Sequence, residues 1–569
     1  MRIERRVSLA TGAFSDDVHP LVARVYSTRG VHSTDDVDYS LSKALPFDTL
    51  KDIDVAVRLL EQARTSRQRV LVLGDFDADG ATSCAVAVLG LRALGIEHVD
   101  YLVPNRFEFG YGLTPEIVEV ACQWQPDVLI TVDNGISSID GVRAARENGI
   151  SVLITDHHLP GAELPSAEAI VNPNQQGCEF PSKSVAGVGV MFYVLLALRA
   201  RLRERGEFEG AAAPNLAELL DLVALGTIAD VVPLDHNNRV LVSQGLARIR
   251  SGRCRPGIRA LLQVAGRDQQ RVVASDMGFA VAPRLNAAGR LADMSSGVEC
   301  LLTDDSATAR RLAGELDSLN RERREIESDM QSQALANLTE LELDDDMGLG
   351  LCLFDEDWHQ GVVGILASRI KDRLHRPVIA FACDGAQSLK GSGRSIKGFH
   401  IRDALQDVAS AHPHLITRFG GHAMAAGLTL PRENLERFRE AFDRRARELL
   451  DADDLEGVVF SDGELAPEQL TLHAADALRK AGPWGQGFPE PLFDGGFEVL
   501  DSRILKERHL KLRVRSAKGG QVVEAIQFNA DVDAWRPDTT SVRLAYRLEV
   551  NEFRGVRSVN LIVEYLEEQ

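Results

Sequence analysis

Three carboxylates stand at alternate positions in the segment from Gly74 to Gly80: Asp75, Asp77 and Asp79. The apolar run Val70–Leu73 comes just before them and predicts a buried strand. Carboxylates this close repel one another unless a cation joins them. The segment therefore predicts a binding site for a divalent metal ion.

Further acids and histidines follow other predicted elements: Asp133, the triplet Asp156-His157-His158, and Asp230. A lone Asp after a strand is most often a turn former or a helix N-cap, and adjacent loop histidines usually face solvent. Here, however, several strands of one predicted sheet each end in an acid, and a parallel sheet brings the carboxyl ends of its strands to one edge. We therefore expect these residues to converge on one site.

The donor types in this set indicate which metal it would hold. Asp-rich ligand sets with one or two His favour Mn²⁺ or Mg²⁺, whereas zinc prefers Cys and more His. The carboxylates are numerous enough for two ions. A pair of ions about 3.5–4 Å apart activates a water and stabilises the leaving oxygen of a phosphoryl displacement.

The elements that must position these residues alternate between strand and helix from about residue 69 onwards. This alternation predicts a mostly parallel sheet covered by helices. The predicted strands are Val70–Leu73, Val99–Val103, Val128–Val132 and Val152–Thr155, and the predicted helices include Ala81–Leu94, Ser137–Asn148, Gly187–Arg205 and Asn215–Ile228.

The second half of the chain predicts three further parts. Residues 304–343 are rich in Arg, Glu, Leu and Ala and predict one long charged helix. A second α/β lobe follows, with a strand at Leu349–Phe354, a helix at Val362–Leu374 and a strand at Val378–Phe381. Short alternating strands after about residue 460 predict a small β-barrel or sandwich. The fold class is thus α/β, with two α/β lobes joined by a long helix and a C-terminal β-barrel.

Composition narrows the function classes. The formal net charge of −20 argues against a protein that simply coats nucleic acid, but a nuclease needs only a local basic track. The seven cysteines form no CxxC pair, which argues against a zinc ribbon or a disulfide framework and fits a reducing compartment. We see no signal peptide and no membrane-spanning segment, so we expect a cytoplasmic location and no membrane partner.

Several motifs carry a family resemblance. Asp77-Ala-Asp-Gly80, Asp133-Asn134, Asp156-His157-His158 and Gly226-Thr-Ile-Ala-Asp230 resemble the motifs of the DHH phosphoesterase superfamily. Gly420-Gly421-His422 resembles its companion, the DHH-associated domain. The longer stretches Trp358–Gly364, Gly391–Ser395 and Gly487–Pro491 closely resemble the bacterial RecJ family within that superfamily.

The resemblance implies a function and a set of site residues. It implies a single-strand-specific DNA exonuclease that works 5′ to 3′, releases mononucleotides, and serves recombination and mismatch repair. Two ions, Mn²⁺ or Mg²⁺, would be bound. Single-strand binding protein and a RecQ-type helicase are the implied partners, and we expect a monomer. The implied metal ligands are Asp75, Asp77, Asp79, Asp133, His157 and Asp230. By the same resemblance, Asp133 would bridge the ions, His158 would face the scissile phosphate, and Asp156 would orient a histidine.

The same resemblance organises the domains. We expect an N-terminal segment at 1–45, a DHH catalytic domain at 46–300, a connecting helix at 301–345, a DHH-associated domain at 346–452 and an OB-like nucleic-acid-binding barrel at 453–569.

Candidate DNA contacts lie outside the metal motifs. Arg394 beside Ser392 and Ser395, in a Gly-rich turn, would form a bidentate phosphate pocket. His422, Arg106 and Arg284 are further candidates, although a tight turn or an ordinary surface arginine would explain each of them. The alternate spacing of Lys511, Arg513 and Arg515 places them on one strand face of the barrel, which suits single-strand binding; a solvated strand face is the bland alternative.

Two other functions remain open from the sequence. A DHH phosphodiesterase that acts on short oligoribonucleotides or cyclic dinucleotides would share the metal motifs, but such relatives are shorter and lack the barrel of residues 455–569. A non-catalytic DNA-binding scaffold is the other alternative, and the intact ligand positions argue against it.

Overall fold

The computed structural model describes residues 1–7, 12–105, 109, 112–209, 212–342, 348–532, 534–553 and 555–569. They form two compact units. One contains residues 1–4 and 319–459, and the other contains residues 5–318 and 460–569.

The larger unit contains the predicted parallel sheet. Its central strands are buried along their whole apolar runs, as expected for a sheet with both faces covered. A fifth, edge strand was not predicted. In spatial order the strands are Val99–Leu102, Val70–Gly74, Val128–Val132, Ser151–Thr155 and Ala169–Val171, all parallel to their neighbours.

Helices surround this sheet. The helix after the first acidic segment begins at Ala78 rather than at the predicted Ala81, because Asp77 caps its N-terminus. The helices of this unit are Pro20–Ser27, Ile53–Thr65, Ala78–Ala93, Pro115–Ala121, Ile139–Glu147, Gly187–Glu204, Leu220–Ala229, His236–Arg250, Pro256–Val264, Ala274–Asp276, the π-helical turn Met277–Val281, Ala282–Leu291, Ser295–Leu302 and Leu472–Lys480.

The predicted long helix spans Ser306–Glu342, and its residues 306–318 belong to the larger unit. The smaller unit contains the second α/β lobe. Its sheet has the order Arg418–Gly421, Ala425–Pro431, Ser388–Arg394, Val378–Cys383 and Leu351–Phe354, and its helices are Val363–Leu374, Ile401–Ala411 and Leu435–Leu449. The first two pairings, and that of Ser388–Arg394 with Val378–Cys383, are antiparallel, and the last pairing is parallel.

The predicted Gly-rich turn around Arg394 is wrong, because Gly391 and Gly393 lie inside the strand Ser388–Arg394. A methyl group at Gly391 would lie 2.5 Å from a ring carbon of Phe381, and one at Gly393 would lie 2.5 Å from the Ile401 side chain. These glycines therefore serve close packing of a core rather than a change of chain direction.

The C-terminal strands close into the predicted barrel. In spatial order they are Phe493–Leu505, His509–Ser516, Val522–Gln527, Val556–Glu568 and Ser541–Phe553. A separate two-stranded sheet pairs Arg2–Arg5 with Val458–Ser461. Within the described ranges, no helix has the length and apolar character needed to cross a membrane.

The buried carboxylate of Asp494, in the barrel, binds Arg5 of the N-terminal segment. Asp494 accepts hydrogen bonds from Arg5, Ser461 and Arg543 at 2.7–3.1 Å. Burial alone would raise the pKa of Asp494, but these hydrogen bonds outweigh it and lower the pKa to about 2.

Candidate metal centre and nucleic-acid contacts

The first acidic segment combines capping and clustering. Asp77 Oδ1 accepts the backbone N–H groups of Asp79 and Gly80 at 2.9 and 3.0 Å, so it is both an N-cap and a candidate ligand. Asp79 is buried, and its two carboxylate oxygens accept the N–H groups of Gly187 and Val188 at 2.7 and 3.1 Å. Asp79 therefore also fixes the start of the helix Gly187–Glu204 against this loop.

Asp133 follows the strand Val128–Val132 and lies at the same sheet edge. Its backbone has φ of 63°, a left-handed conformation that Asp and Asn tolerate better than other residues. The side chain of Asn134 donates to the carbonyls of Leu73 and Val132 at 3.2 and 2.9 Å. This amide joins the ends of two strands and so holds their acids at a fixed spacing.

The Asp-His-His triplet follows the next strand. Asp156 is buried, and its Oδ1 accepts the Nδ1–H of His158 at 2.7 Å, while Oδ2 accepts the N–H of Ile136 at 2.9 Å. His157 points elsewhere: its Nε2 lies 3.1 Å from Asp133 Oδ1 and 3.3 Å from Asp230 Oδ2. Asp156 thus orients His158, whereas His157 meets the acids.

The ligand atoms of the predicted set come together in three overlapping groups. Within each group they lie no more than 4.8 Å apart. Asp133 and His157 each belong to two groups. The groups are Asp75, Asp77 and Asp133; Asp79, His157 and Asp230; and Asp133, His157 and His158.

The electrostatics of this cluster fit a bound cation. Burial, together with the charge of Asp77, raises the pKa of Asp79 to about 7. Burial and the neighbouring acids also raise the pKa values of Asp133 and Asp230 well above the usual range. Burial lowers the pKa of His157 to about 4, which keeps its ring neutral and able to ligate. These buried carboxyl groups repel one another when they are all ionised. A bound divalent cation would stabilise their ionised forms, and the neutral imidazole of His157 could ligate the same cation.

Two glycines allow the acids to approach the helices. A methyl group at Gly187 would lie 2.6 Å from Asp133 Cβ, and one at Gly226 would lie 2.7 Å from Asp79 Oδ1. Both distances are shorter than carbon and oxygen atoms tolerate. The Gly of the Gly226-to-Asp230 motif is therefore required by packing against the site.

Three asparagines that we did not predict support the loops of the site. Asn174 donates to the carbonyl of His157 at 2.6 Å, and Asn172 donates to that of His158 at 2.9 Å. Asn286 Oδ1 accepts the N–H of Ala78 at 2.8 Å. The turn-forming pair around Pro173 is a local signal for the first two. Asn286 carries no such signal, because its partner is 208 residues away in sequence.

Comparison with known proteins shows the family of this chain. Family models match the DHH family N-terminal domain at residues 69–227, the DHHA1 domain at 347–448 and the RecJ OB domain at 461–565. The single-stranded-DNA-specific exonuclease RecJ of Dickeya dadantii is 57% identical over 567 residues, which cover 99% of this chain and 98% of the relative. The chain belongs to the RecJ family.

Other RecJ proteins support this assignment. The RecJ of Escherichia coli K12 is 54% identical over 569 residues, covering 99% of this chain and 98% of the relative. Crystal structures of Thermus thermophilus RecJ in complex with Mn²⁺ and with Mg²⁺ match with TM-scores of 0.79 and 0.75 at 34% and 31% identity. These matches cover 97% of this chain and 76% and 75% of those chains.

The three residues of the predicted phosphate pocket in this RecJ-family chain, Ser392, Arg394 and Ser395, do not all hydrogen-bond to one another. Arg394 donates to Ser392 Oγ at 3.2 Å and to the carbonyl of Gly393 at 2.8 Å. Ser395 is buried, and its hydroxyl donates to the carbonyl of Phe399 at 2.6 Å. The structure therefore brings Arg394 and Ser392 together, whereas the Ser395 hydroxyl is used inside the fold.

Two of the other three predicted contacts have hydrogen-bond partners within the fold. Arg284 forms an ion pair with Asp317 at 2.8 Å and also donates to the carbonyl of Ala280. His422 lies in the hairpin turn after Arg418–Gly421, where its N–H donates to the carbonyl of Ala425 at 2.8 Å. Arg106 lies outside the described residues.

The predicted basic stripe of the barrel is largely paired. Lys511, Arg513 and Arg515 alternate with buried residues on one strand, so they share an outward face as predicted. Lys511 pairs with Glu524 at 2.9 Å, and Arg515 pairs with Glu498 at 3.3 Å. Carboxylates on neighbouring strands therefore offset much of the positive charge that the sequence of this strand suggested.

Proposed function

We propose that the chain is an exonuclease that degrades single-stranded DNA from 5′ to 3′ by two-metal-ion hydrolysis and releases 5′-mononucleotides. The observation that carries the proposal is that two of the three ligand groups share no residue and lie together at the carboxyl ends of the parallel strands. The similarity to RecJ proteins over nearly the whole chain supports the substrate class.

The candidate ligands divide between two positions. Asp75, Asp77 and Asp133 would hold one divalent ion, and Asp79, His157 and Asp230 would hold the other. When bound, such ions activate a water and stabilise the charge that develops on the phosphate and leaving oxygens. Asp133 Oδ1 lies 3.1 Å from His157 Nε2, which supports a role for its carboxylate at both positions.

His158 has a separate role in this proposal. Its Nδ1 is engaged by Asp156 at 2.7 Å, which fixes the ring and leaves Nε2 as the nitrogen that reaches toward the scissile phosphate. A donor held in this way orients the phosphate and stabilises its developing charge. Asp156 acts through His158 as a positioning residue.

We extend the proposal to the setting of the activity. A single-strand exonuclease of this kind would act in recombination and mismatch repair in the cytoplasm, beside single-strand binding protein and a RecQ-type helicase, and as a monomer. The predicted domain boundaries belong to the same proposal, with the Arg394 and Ser392 pair and the barrel face of Lys511, Arg513 and Arg515 as DNA contacts.

Digestion of end-labelled strands tests the proposal. DNA and RNA strands labelled at either end are incubated with Mn²⁺, with Mg²⁺ or with EDTA. With Mn²⁺ or Mg²⁺ we expect the 5′ label to be released at once as a mononucleotide and the 3′-labelled DNA to shorten gradually. In EDTA we expect neither change. Early release of the 3′ label would refute the polarity, and a preference for short RNA would favour the small-substrate phosphodiesterase.

Asparagine variants remove the negative charge of a candidate ligand while keeping the local fold. Asp77→Asn keeps an N-cap acceptor, and Asp133→Asn suits the left-handed backbone at that position. Both are expected to abolish hydrolysis, while Asp140→Asn, at an exposed acid of the helix Ile139–Glu147, is the matched control that retains it. Full activity of the Asp77 and Asp133 variants would refute the ligand assignment.

A further inference from the structure

One short segment is hydrogen-bonded to the chain at or near every ligand of one proposed metal position. That position, here named the histidine position, has Asp79, His157 and Asp230 as its candidate ligands, which come from three separate parts of the sequence. The segment consists of residues 183–188, runs into the helix Gly187–Glu204 and is here named the 183–188 segment. It supplies none of the ligands, so any effect on metal binding must pass through them.

The first connection, to Asp79, is direct. The N–H groups of Gly187 and Val188 donate to the two carboxylate oxygens of Asp79, at 2.7 and 3.1 Å. Hydrogen bonds from N–H groups favour the ionised carboxylate, which is the form that ligates a metal ion. The 183–188 segment therefore holds both oxygens of this ligand in one orientation.

The second connection, to His157, runs through a side-chain amide. Asn174 Nδ2 donates both to the carbonyl of His157, at 2.6 Å, and to the carbonyl of Lys183, at 3.1 Å. Lys183 Nζ in turn donates to the carbonyl of Pro173 at 2.7 Å, so each of the two loops donates to the other. The backbone from which the imidazole of His157 extends is thus joined to the 183–188 segment.

The third connection reaches the chain three residues after Asp230. Asn238 Nδ2 donates both to the carbonyl of Ser184, at 2.7 Å, and to the carbonyl of Pro233, at 2.9 Å. Asn238 is fully buried, so water does not replace this amide when it is removed. The amide therefore joins the 183–188 segment to the segment that follows the third ligand.

The backbone between Asp230 and Pro233 is strained. Val231 has φ of 61°, a left-handed conformation that is an outlier for a β-branched residue. A residue stays in such a conformation only where the surrounding structure fixes the chain. The helix Leu220–Ala229 fixes the chain before Val231, and the hydrogen bond from Asn238 fixes it afterwards. The position of Asp230 therefore depends on that hydrogen bond.

We propose that the 183–188 segment positions the ligands of the histidine position, and that Asn174 and Asn238 set its metal affinity without being ligands. The inference rests on the proposed function. Groups that hold metal ligands in place typically change metal affinity about 10- to 100-fold. The other proposed position depends less on this segment, because Asp75 and Asp77 accept N–H groups of their own loop, at 2.7 and 2.9 Å.

Calorimetric titration with Mn²⁺ tests this inference by resolving two binding steps. The unaltered chain is expected to bind two ions. Asn174→Ala and Asn238→Ala should each weaken one step about 10- to 100-fold without weakening the other. An unfolded chain would lose both steps together, so the retained step separates a local effect from a failure to fold. Hydrolysis by both variants should recover in excess Mn²⁺, because all the ligands are still present.

Asn434→Ala is the matched control. Asn434 Nδ2 also donates to two backbone carbonyls, those of His414 and Leu415, at 3.1 and 3.3 Å. Asn434 belongs to the smaller unit, whereas the candidate ligands belong to the larger one. Both Mn²⁺ binding steps should stay unchanged in this variant.

Anomalous diffraction identifies which ion is affected. In crystals of Asn238→Ala grown with limiting Mn²⁺, we expect the peak beside Asp79 and Asp230 to lose occupancy and the peak beside Asp75 to remain. Unchanged binding steps in both alanine variants, equal weakening of both steps, or loss of the peak beside Asp75 alone would overturn the inference. An unaltered chain that binds one ion or leaves labelled DNA intact would refute the proposed function itself. Two ions and full activity in the unaltered chain, with unaffected variants, would refute only the role of the 183–188 segment.

Discussion

The hydrogen bond from the N–H of Ala78 to Asn286 Oδ1 predicts that Asn286 sets the affinity of the metal centre without touching the metal. Ala78 lies between Asp77 and Asp79, is 1% exposed, and donates at 2.8 Å. In Asn286→Ala this N–H loses its acceptor where water cannot replace it, at a cost of about 1–3 kcal/mol. Part of this free-energy cost would appear as a change in the conformation of the acidic segment from Gly74 to Gly80. We therefore expect Mn²⁺ binding to weaken about 10- to 100-fold.

Calorimetric titration with Mn²⁺ measures this effect independently of nuclease activity. Asn286→Asp keeps an acceptor at the same position and should retain metal affinity, which separates the hydrogen bond from the side-chain volume. Asn148→Ala, at an exposed asparagine at the end of the helix Ile139–Glu147, is the matched control. Unchanged Mn²⁺ affinity in Asn286→Ala, with the fold intact, would refute the reasoning.

Three further predictions concern packing, pH and a hydroxyl. In Gly187→Ala the new methyl group would lie 2.6 Å from Asp133 Cβ, so calorimetry should show Mn²⁺ affinity at least about 10-fold lower; Gly314→Ala, where the space is open, should bind normally. Because the pKa of Asp494 is lowered to about 2, its charge stabilises the fold above the ordinary carboxyl pKa. Urea unfolding should show that Asp494→Asn costs about 2 kcal/mol at neutral pH, and that this difference shrinks as the pH falls from about 4 toward 2; a pH-independent difference would contradict the assignment. Ser395→Ala should lower the free energy of unfolding by about 1 kcal/mol, because the hydroxyl bonds to Phe399, and leave DNA affinity unchanged. A drop in DNA affinity at unchanged stability would restore Ser395 as a phosphate ligand.

The sequence was most informative where local pattern and site coincide. The apolar run that ends before Asp75 is a buried strand, and the parallel sheet brings Asp133 and His157 to the same edge because all its strands point one way. Alternation along His509–Ser516 likewise predicted the outward face of Lys511. These features follow from two properties alone: side chains alternate between the two faces of a strand, and parallel strands end at the same edge of the sheet.

Other features depended on partners far away in sequence. The glycines at 391 and 393 suggested a turn, but tertiary packing against Phe381 and Ile401 makes them strand residues. The basic strand of the barrel gave no sign of Glu498 and Glu524 on its neighbours. Such cross-strand pairs depend on register, which the sequence of one strand does not determine.

Anomalous diffraction from crystals grown with Mn²⁺ tests the metal centre most directly. We predict two anomalous peaks about 3.5–4 Å apart, one beside Asp75 and Asp77, the other beside Asp79 and Asp230, with Asp133 between them. A single peak, or no peak within this cluster, would contradict the two-metal account.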